Sequence, residues 1–295
     1  MSVNALAKKY SFLERYMNIS STNQLPKDIP RGMWYNPATM QMEFMAQQVH
    51  PLPTPPHKSL TPPSTTSEGG DDMDFKPIRI ALESPTDGLE TLFTYERGFD
   101  AIIVKPGDEL PEVDMVCFSG GADIDPKLYG QKKLPKTFPS PYRDEFSFKL
   151  HKKYALLPKV GVCRGAQFLC AINGGSLWQH IGSSHNNGQH YITTADSLQR
   201  NIMVTSVHHQ ACRPTKHMEM LAYSANKAST VEDDKVVDAT GISIAEAFFI
   251  PEDNALCVQF HPEYGMKSCE EYFWELFWIK FPQLLEVSLQ TKKVG

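Results

Sequence analysis

The segment Lys159-Val-Gly-Val-Cys163-Arg-Gly-Ala-Gln167 decides how this chain folds. Its first four residues suit a short buried strand, and the residues from Arg164 onward suit a helix that ends at the Gly174-Gly175 pair. A strand running straight into a helix, with glycine two positions before and two after a central cysteine, is a G-x-C-x-G version of the nucleophile elbow. Such a turn strains the backbone of its central residue. Glycine at 161 and 165 removes side chains that would collide with the neighbouring strand or helix. The thiol of Cys163 then sits at a helix N-terminus, where free N–H groups and the helix dipole favour thiolate.

On either side of the elbow, short apolar runs alternate with helical stretches. Pro77–Leu82, Ala101–Val104 and Val113–Phe118 read as three strands before it, with a helix-compatible segment at Leu89–Arg97 and a helix over Tyr142–Leu157. Ile202–Ser206, Glu219–Tyr223, Ile242–Phe249 and Leu256–Phe260 are further strands, and Tyr272–Ile279 a closing aromatic helix. The alternation predicts an α/β fold, a three-layer sandwich with a mostly parallel central sheet. Ligands on such sheets bind beyond the carboxyl ends of the strands. Residues 51–75 carry six prolines, a Ser/Thr run and an acidic cluster, which exclude a helix or sheet interior. The expected organisation is therefore an N-terminal extension and Pro-rich linker over 1–75, a catalytic domain over 76–285 and a tail over 286–295. Within the extension, Ala5 to Met17 suits a short helix, and Trp34 and Tyr35 could anchor on a partner.

Composition narrows the function classes. The 295 residues are 41% hydrophobic and 21% charged, as in an ordinary globular protein, and the net charge of −5 offers no basic field for nucleic acid. No apolar run approaches the ~18–20 residues that a membrane helix needs. The N-terminus lacks the apolar core and cleavage site of a secretory signal. The six scattered cysteines read as reduced thiols of a cytoplasmic protein. Neither nucleic acid nor membrane is an expected partner.

A thiol nucleophile needs a base, and the base needs an orienting group. Val258-Gln-Phe-His261-Pro-Glu263 offers both directly after an apolar strand. His261 would exchange protons with Cys163 and the leaving group, and Glu263 would fix the imidazole tautomer. Acyl transfer also requires donors for a developing oxyanion. Phe118-Ser-Gly-Gly121-Ala-Asp123 exposes backbone N–H groups after the third strand, so the N–H groups of Gly121 and Arg164 are the expected oxyanion hole.

These pieces, in this order, resemble the class I glutamine amidotransferase superfamily, and within it the gamma-glutamyl-gamma-aminobutyrate hydrolase branch, peptidase C26. Ser119–Pro126 with Leu128-Tyr-Gly130, Arg143-Asp144, Gly174–Leu177, His185 and His190, and Ser206-Val-His-His-Gln210 are similar to further segments of that branch. The resemblance spans roughly 77–281 and implies a flavodoxin-like sandwich with a Cys-His-Glu triad. It implies a Cys-dependent hydrolase, cleaving the delta-amide of glutamine or of a gamma-glutamyl amide through a gamma-glutamyl thioester. Gln167, Ser206, Val207 and His208 would hold the glutamyl head group, and no cofactor is implied. A glutaminase subunit feeding ammonia to a synthetase or ligase docked on residues 1–75 is an alternative, as is a catalytically dead scaffold. The spacing of His185, His190, His208 and His209 fits no standard zinc pattern, so no metal is expected. In one place the chain departs from the branch, which has an acidic residue where this sequence has Ser147.

Overall fold

The structure, a computed structural model, describes residues 76–182, 185–186, 188–225, 230–232, 235–237 and 243–284, with the paired strands Tyr35–Asn36 and Gln41–Met42. By its contacts the chain divides into two compact units, residues 1–73 and 74–295. The helix expected over Ala5 to Met17, the linker at 51–75 and the tail at 286–295 lie outside the described residues.

The larger unit is built on an eleven-stranded sheet. Its strands are β1 (Ile78–Glu83), β2 (Phe99–Val104), β3 (Met115–Phe118), β4 (Lys159–Val162), β5 (Ser176–Trp178) and β6 (Gly188–Thr194). They continue with β7 (Asn201–Ser206), β8 (Ala211–Arg213), β9 (Glu219–Ala225), β10 (Ser243–Ile250) and β11 (Ala255–Val258). The order is β2-β1-β3-β4-β11-β10-β9-β6-β7, with β8 against both β10 and β5. From β2 to β11 every pair is parallel. Strands β3, β4 and β11 are buried along their whole length, which is why they read as unbroken apolar runs.

Beyond β11 the pairing turns antiparallel. The expected parallel character thus holds for the half that carries the elbow. Pro251–Asn254, between β10 and β11, is a tight turn too short for a parallel crossover. Strands β5, β6 and β8 escaped the sequence reading. Two are three residues long, and β6 reads Gly-Gln-His-Tyr-Ile-Thr-Thr, with little apolar signal.

Helices cover both faces. On one, α2 (Pro141–Lys153) and α3 (Arg164–Ile172), after the short α1 (Leu89–Leu92) in chain order, bury Phe146, Leu150, Phe168 and Leu169 against Val116, Phe118, Ala255 and Cys257. Alternation puts Phe99 of β2 on the face opposite Val104. There it packs with Phe93 against Trp274 and Phe277 of α4 (Lys267–Lys280) in edge-on and tilted pairs at 5.1–6.2 Å. The helix expected at Leu89–Arg97 breaks into α1 and a separate 3-10 turn, Tyr95–Arg97. Helix α2 ends at Lys153, four residues short of the expected Leu157, where the chain turns toward Pro158. Among the described residues, no helix is long and apolar enough to cross a membrane.

Candidate active site

The elbow forms as its glycines require. Cys163 has φ 50° and ψ −105°, a strained conformation for a residue with a Cβ, and caps the N-terminus of α3. A Cβ on Gly165 would lie 2.1 Å from the Phe118 carbonyl oxygen, and one on Gly161 would lie 2.7 Å from the Ala166 nitrogen. Both glycines are therefore demanded by close backbone approach. The cysteine is nearly buried, at 7% exposure.

His261 reaches the same rim because β4 and β11 are parallel neighbours. Val162 pairs with Val258, and the Cys163 N–H donates to the Val258 carbonyl at 2.8 Å. The imidazole is in hydrogen-bonding contact with the Cys163 sulfur, and its Nδ1 lies 2.6 Å from Glu263 Oε1. Burial alone would disfavour the charged ring, but the Cys163 sulfur and the Glu263 carboxylate outweigh it and lift the pKa to about 10. Two residues that sequence reasoning passed over hold the ring. Tyr264 stacks on it, with centroids 4.4 Å apart and planes within 6°. Thr205 of β7 accepts from the His261 N–H at 2.7 Å and donates to its carbonyl at 3.0 Å. Gly120 clears the other side, since a Cβ there would come within 2.8 Å of the ring.

The raised pKa carries a testable sign. An unfolded histidine titrates near 6.5, so the charged ring contributes its full stabilisation below about pH 6.5 and loses it as pH rises through about 10. Glu263→Gln removes one source of the lift. Its denaturant midpoint should fall well below that of the unmodified chain at about pH 6.5, and the gap should narrow by about pH 10.5. An equal gap at both pH values would contradict this account of the ring.

The Gly120–Gly121 loop faces the elbow across a buried charge network. Gly121 has φ +136°, open only to glycine, and a Cβ there would lie 3.0 Å from Arg143 Nη1. Arg143 Nη2 donates to the Gly120 carbonyl at 3.1 Å, Ser119 Oγ at 2.6 Å and Glu83 Oε2 at 3.1 Å. Arg164, whose N–H begins α3, turns its side chain inward to Asp144 Oδ1 at 2.6 Å and Ser147 Oγ at 2.9 Å. Ser147 in turn donates to Glu83 Oε1. The carboxylate that meets Ser147 is thus Glu83, from the end of β1. Its signal was a carboxylate closing the apolar run Ile80-Ala-Leu82.

The expected head-group residues are dispersed. Gln167 is buried, and its amide donates to Gln259 Oε1 at 3.3 Å. Ser206 Oγ donates to the His185 carbonyl at 2.6 Å, and the His208 N–H donates to that same carbonyl at 3.0 Å. Val207 is 41% exposed. His208 turns its ring away to Gln210 and Glu246, and His209 parts from His185, His190 and His208, with Asp123 Oδ1 at 3.0 Å and His180 Nδ1 at 3.3 Å.

Comparison with known proteins fits this arrangement. The sequence model described as Peptidase C26 matches residues 105–263, more than half of the chain. "Putative glutamine amidotransferase Rv2859c" of Mycobacterium tuberculosis is 30% identical over 162 residues, which make up 53% of each chain. The chain therefore spans about half the length of that relative. "Putative glutamine amidotransferase-like protein YvdE" of Lactococcus lactis is 29% identical over 192 residues, 55% of this chain and 74% of that one. Among solved structures, a putative GMP synthase subunit of Thermoplasma acidophilum superposes with a TM-score of 0.52 at 19% identity, covering 72% of this chain and 98% of that one. At that identity the likeness concerns the fold alone. With the match running from Lys105 to Glu263, this chain belongs to the peptidase C26 family.

Proposed function

We propose that the chain is a Cys-dependent amide hydrolase that cleaves the delta-amide of glutamine or of a gamma-glutamyl amide through a gamma-glutamyl thioester. The observation that carries the reading is the meeting of Cys163 and His261 at the ends of adjacent parallel strands, with Glu263 behind the ring. His261, in contact with the sulfur, is placed to take the thiol proton as the sulfur attacks. Sulfur attacks the delta-carbonyl carbon, and the oxygen takes the electron pair of the C=O bond while facing the N–H groups of Gly121 and Arg164. Collapse expels the amine, which takes its proton from His261. Water then adds to the thioester carbonyl with the now neutral His261 as base, and the thiolate leaves. Gln167 and the Ser206–His208 segment are the candidates for head-group contact.

The test is a panel of gamma-glutamyl amides and free glutamine, with amine or ammonia release measured on the full, reduced chain. Release from at least one compound, with a glutamine-like electrophile labelling Cys163 in the native protein, is the expected result. No release from any compound and no adduct on Cys163 would overturn the proposal and favour a scaffold. Release only after an acceptor enzyme is added would instead identify an ammonia-supplying subunit.

A further inference from the structure

The antiparallel half of the sheet gathers a group of side chains that no proton or acyl transfer above uses, although His208 also belongs to the segment proposed for head-group contact. His185 precedes β6, His190 lies on it, His208 follows β7, and Glu246 sits in the middle of β10. Each offers one ligand atom, and the four atoms all lie within 4.8 Å of one another. His190 Nε2 is 3.0 Å and His185 Nδ1 is 3.3 Å from Glu246 Oε1, while His208 Nε2 is 3.9 Å from Glu246 Oε2. Glu246 is fully buried, and His185 and His208 are nearly so.

Proximity alone could be a hydrogen-bonded cluster, but the approaches of His185 and His190 to Glu246 are ion-pair contacts without hydrogen-bond geometry. His185 Nδ1, His190 Nε2, His208 Nε2 and Glu246 Oε2 are all buried without a hydrogen-bond partner. Four orphaned polar atoms in one pocket are costly unless something among them accepts their lone pairs. A tetrahedral zinc with bonds of about 2.0–2.1 Å sets its ligand atoms about 3.3 Å apart, and the distances here bracket that value. Supporting bonds of the kind that orient metal ligands are also present. His208 Nδ1 lies 2.8 Å from the Gln210 carbonyl, which leaves Nε2 with its lone pair free, and Ser224 donates to Glu246 Oε1 at 2.7 Å.

We propose that His185, His190, His208 and Glu246 form a binding site for one divalent transition cation, zinc by preference. Three imidazoles and a carboxylate suit zinc, and four protein ligands close a tetrahedron, so the ion is structural. It ties the loop before β6, β6 itself, the segment after β7 and β10 into one unit, and it stands independently of the thioester chemistry. The spacing hid the site in the sequence because the fourth ligand is a glutamate from β10 rather than the neighbouring His209.

The test uses the full chain without a polyhistidine tag, stripped with chelator and titrated with zinc or cobalt(II) alone. One equivalent should bind, raise the thermal midpoint and, for cobalt, give the visible d–d absorption of a four-coordinate N/O site without a thiolate charge-transfer band. His190→Ala and Glu246→Gln should each weaken binding by on the order of 100-fold or more, while Cys163→Ser and His209→Ala should retain one equivalent. Absence of stoichiometric binding, a thiolate band, or undiminished affinity in His190→Ala would each overturn the site. The cobalt spectrum of the unmodified chain decides the matter even where a variant fails to fold.

Discussion

Cys163→Ala should lower turnover of a gamma-glutamyl amide by ~10⁴-fold or more, since removing the nucleophile from a residue set that acts as a unit costs about as much as removing the set. The fold should survive. The positive φ is imposed by the strand–helix junction and is equally awkward for alanine, so the substitution adds no backbone strain. The sulfur also supplies part of the lift on the His261 pKa, so that pKa should drop in the variant. Amine release, thermal unfolding and NMR titration of the ring would be read on the same sample. Retention of more than about one part in a hundred of the activity, in a folded variant whose His261 titrates unchanged, would remove Cys163 from the nucleophile role. Loss of activity together with loss of fold would show only that the elbow cannot tolerate the change. Cys163→Ser, which keeps a polar atom in the same place, covers that outcome.

The parts of this site that were legible in the sequence are those where backbone geometry admits few residue types. Gly161 and Gly165 could be read because a Cβ at either position has nowhere to go, and a strand–cysteine–helix junction between two such glycines has few other uses. His261 and Glu263 could be read because they close a fully buried strand, and the parallel pairing of that strand with β4 fixed where they would arrive. What stayed hidden depends on partners far away in the chain. Nothing local marks Thr205 as the residue that grips the His261 backbone, because that contact follows from how β7 lies against the turn after β11. Strand β6 was invisible because it alternates buried and open positions with polar residues in both. Yet β6 brings His190 to Glu246. The antiparallel extension was missed for a related reason. Apolar runs announce strands but not their direction, and only the length of each connection decides that.

Glu83 gives the second large expectation, on stability rather than chemistry. Arg143 and Arg164 share two carboxylates, Glu83 and Asp144, in a nearly dry network beside the Gly120–Gly121 loop. Glu83→Gln keeps the shape and removes one negative charge, leaving two buried guanidiniums with a single carboxylate. Breaking a buried pair from one side costs about 3–5 kcal/mol, so the free energy of unfolding should fall by about that amount. Ser147→Asp alone should also destabilise, because it sets a second carboxylate directly against Glu83. In the double variant Glu83→Gln with Ser147→Asp, the acid stands where the family pattern has it, within reach of the Arg164 guanidinium that now bonds the Ser147 hydroxyl. That protein should be more stable than the sum of the single effects predicts, by a coupling of roughly 1–3 kcal/mol measured in a denaturant cycle. Strictly additive losses would mean that Glu83 and position 147 do not exchange one charge between them. The network also reaches the loop proposed as the oxyanion hole, because Arg143 donates to the Gly120 carbonyl and lies against Gly121. If Glu83 fixes that guanidinium, Glu83→Gln should lower kcat with little change in KM, and the double variant should recover part of the loss.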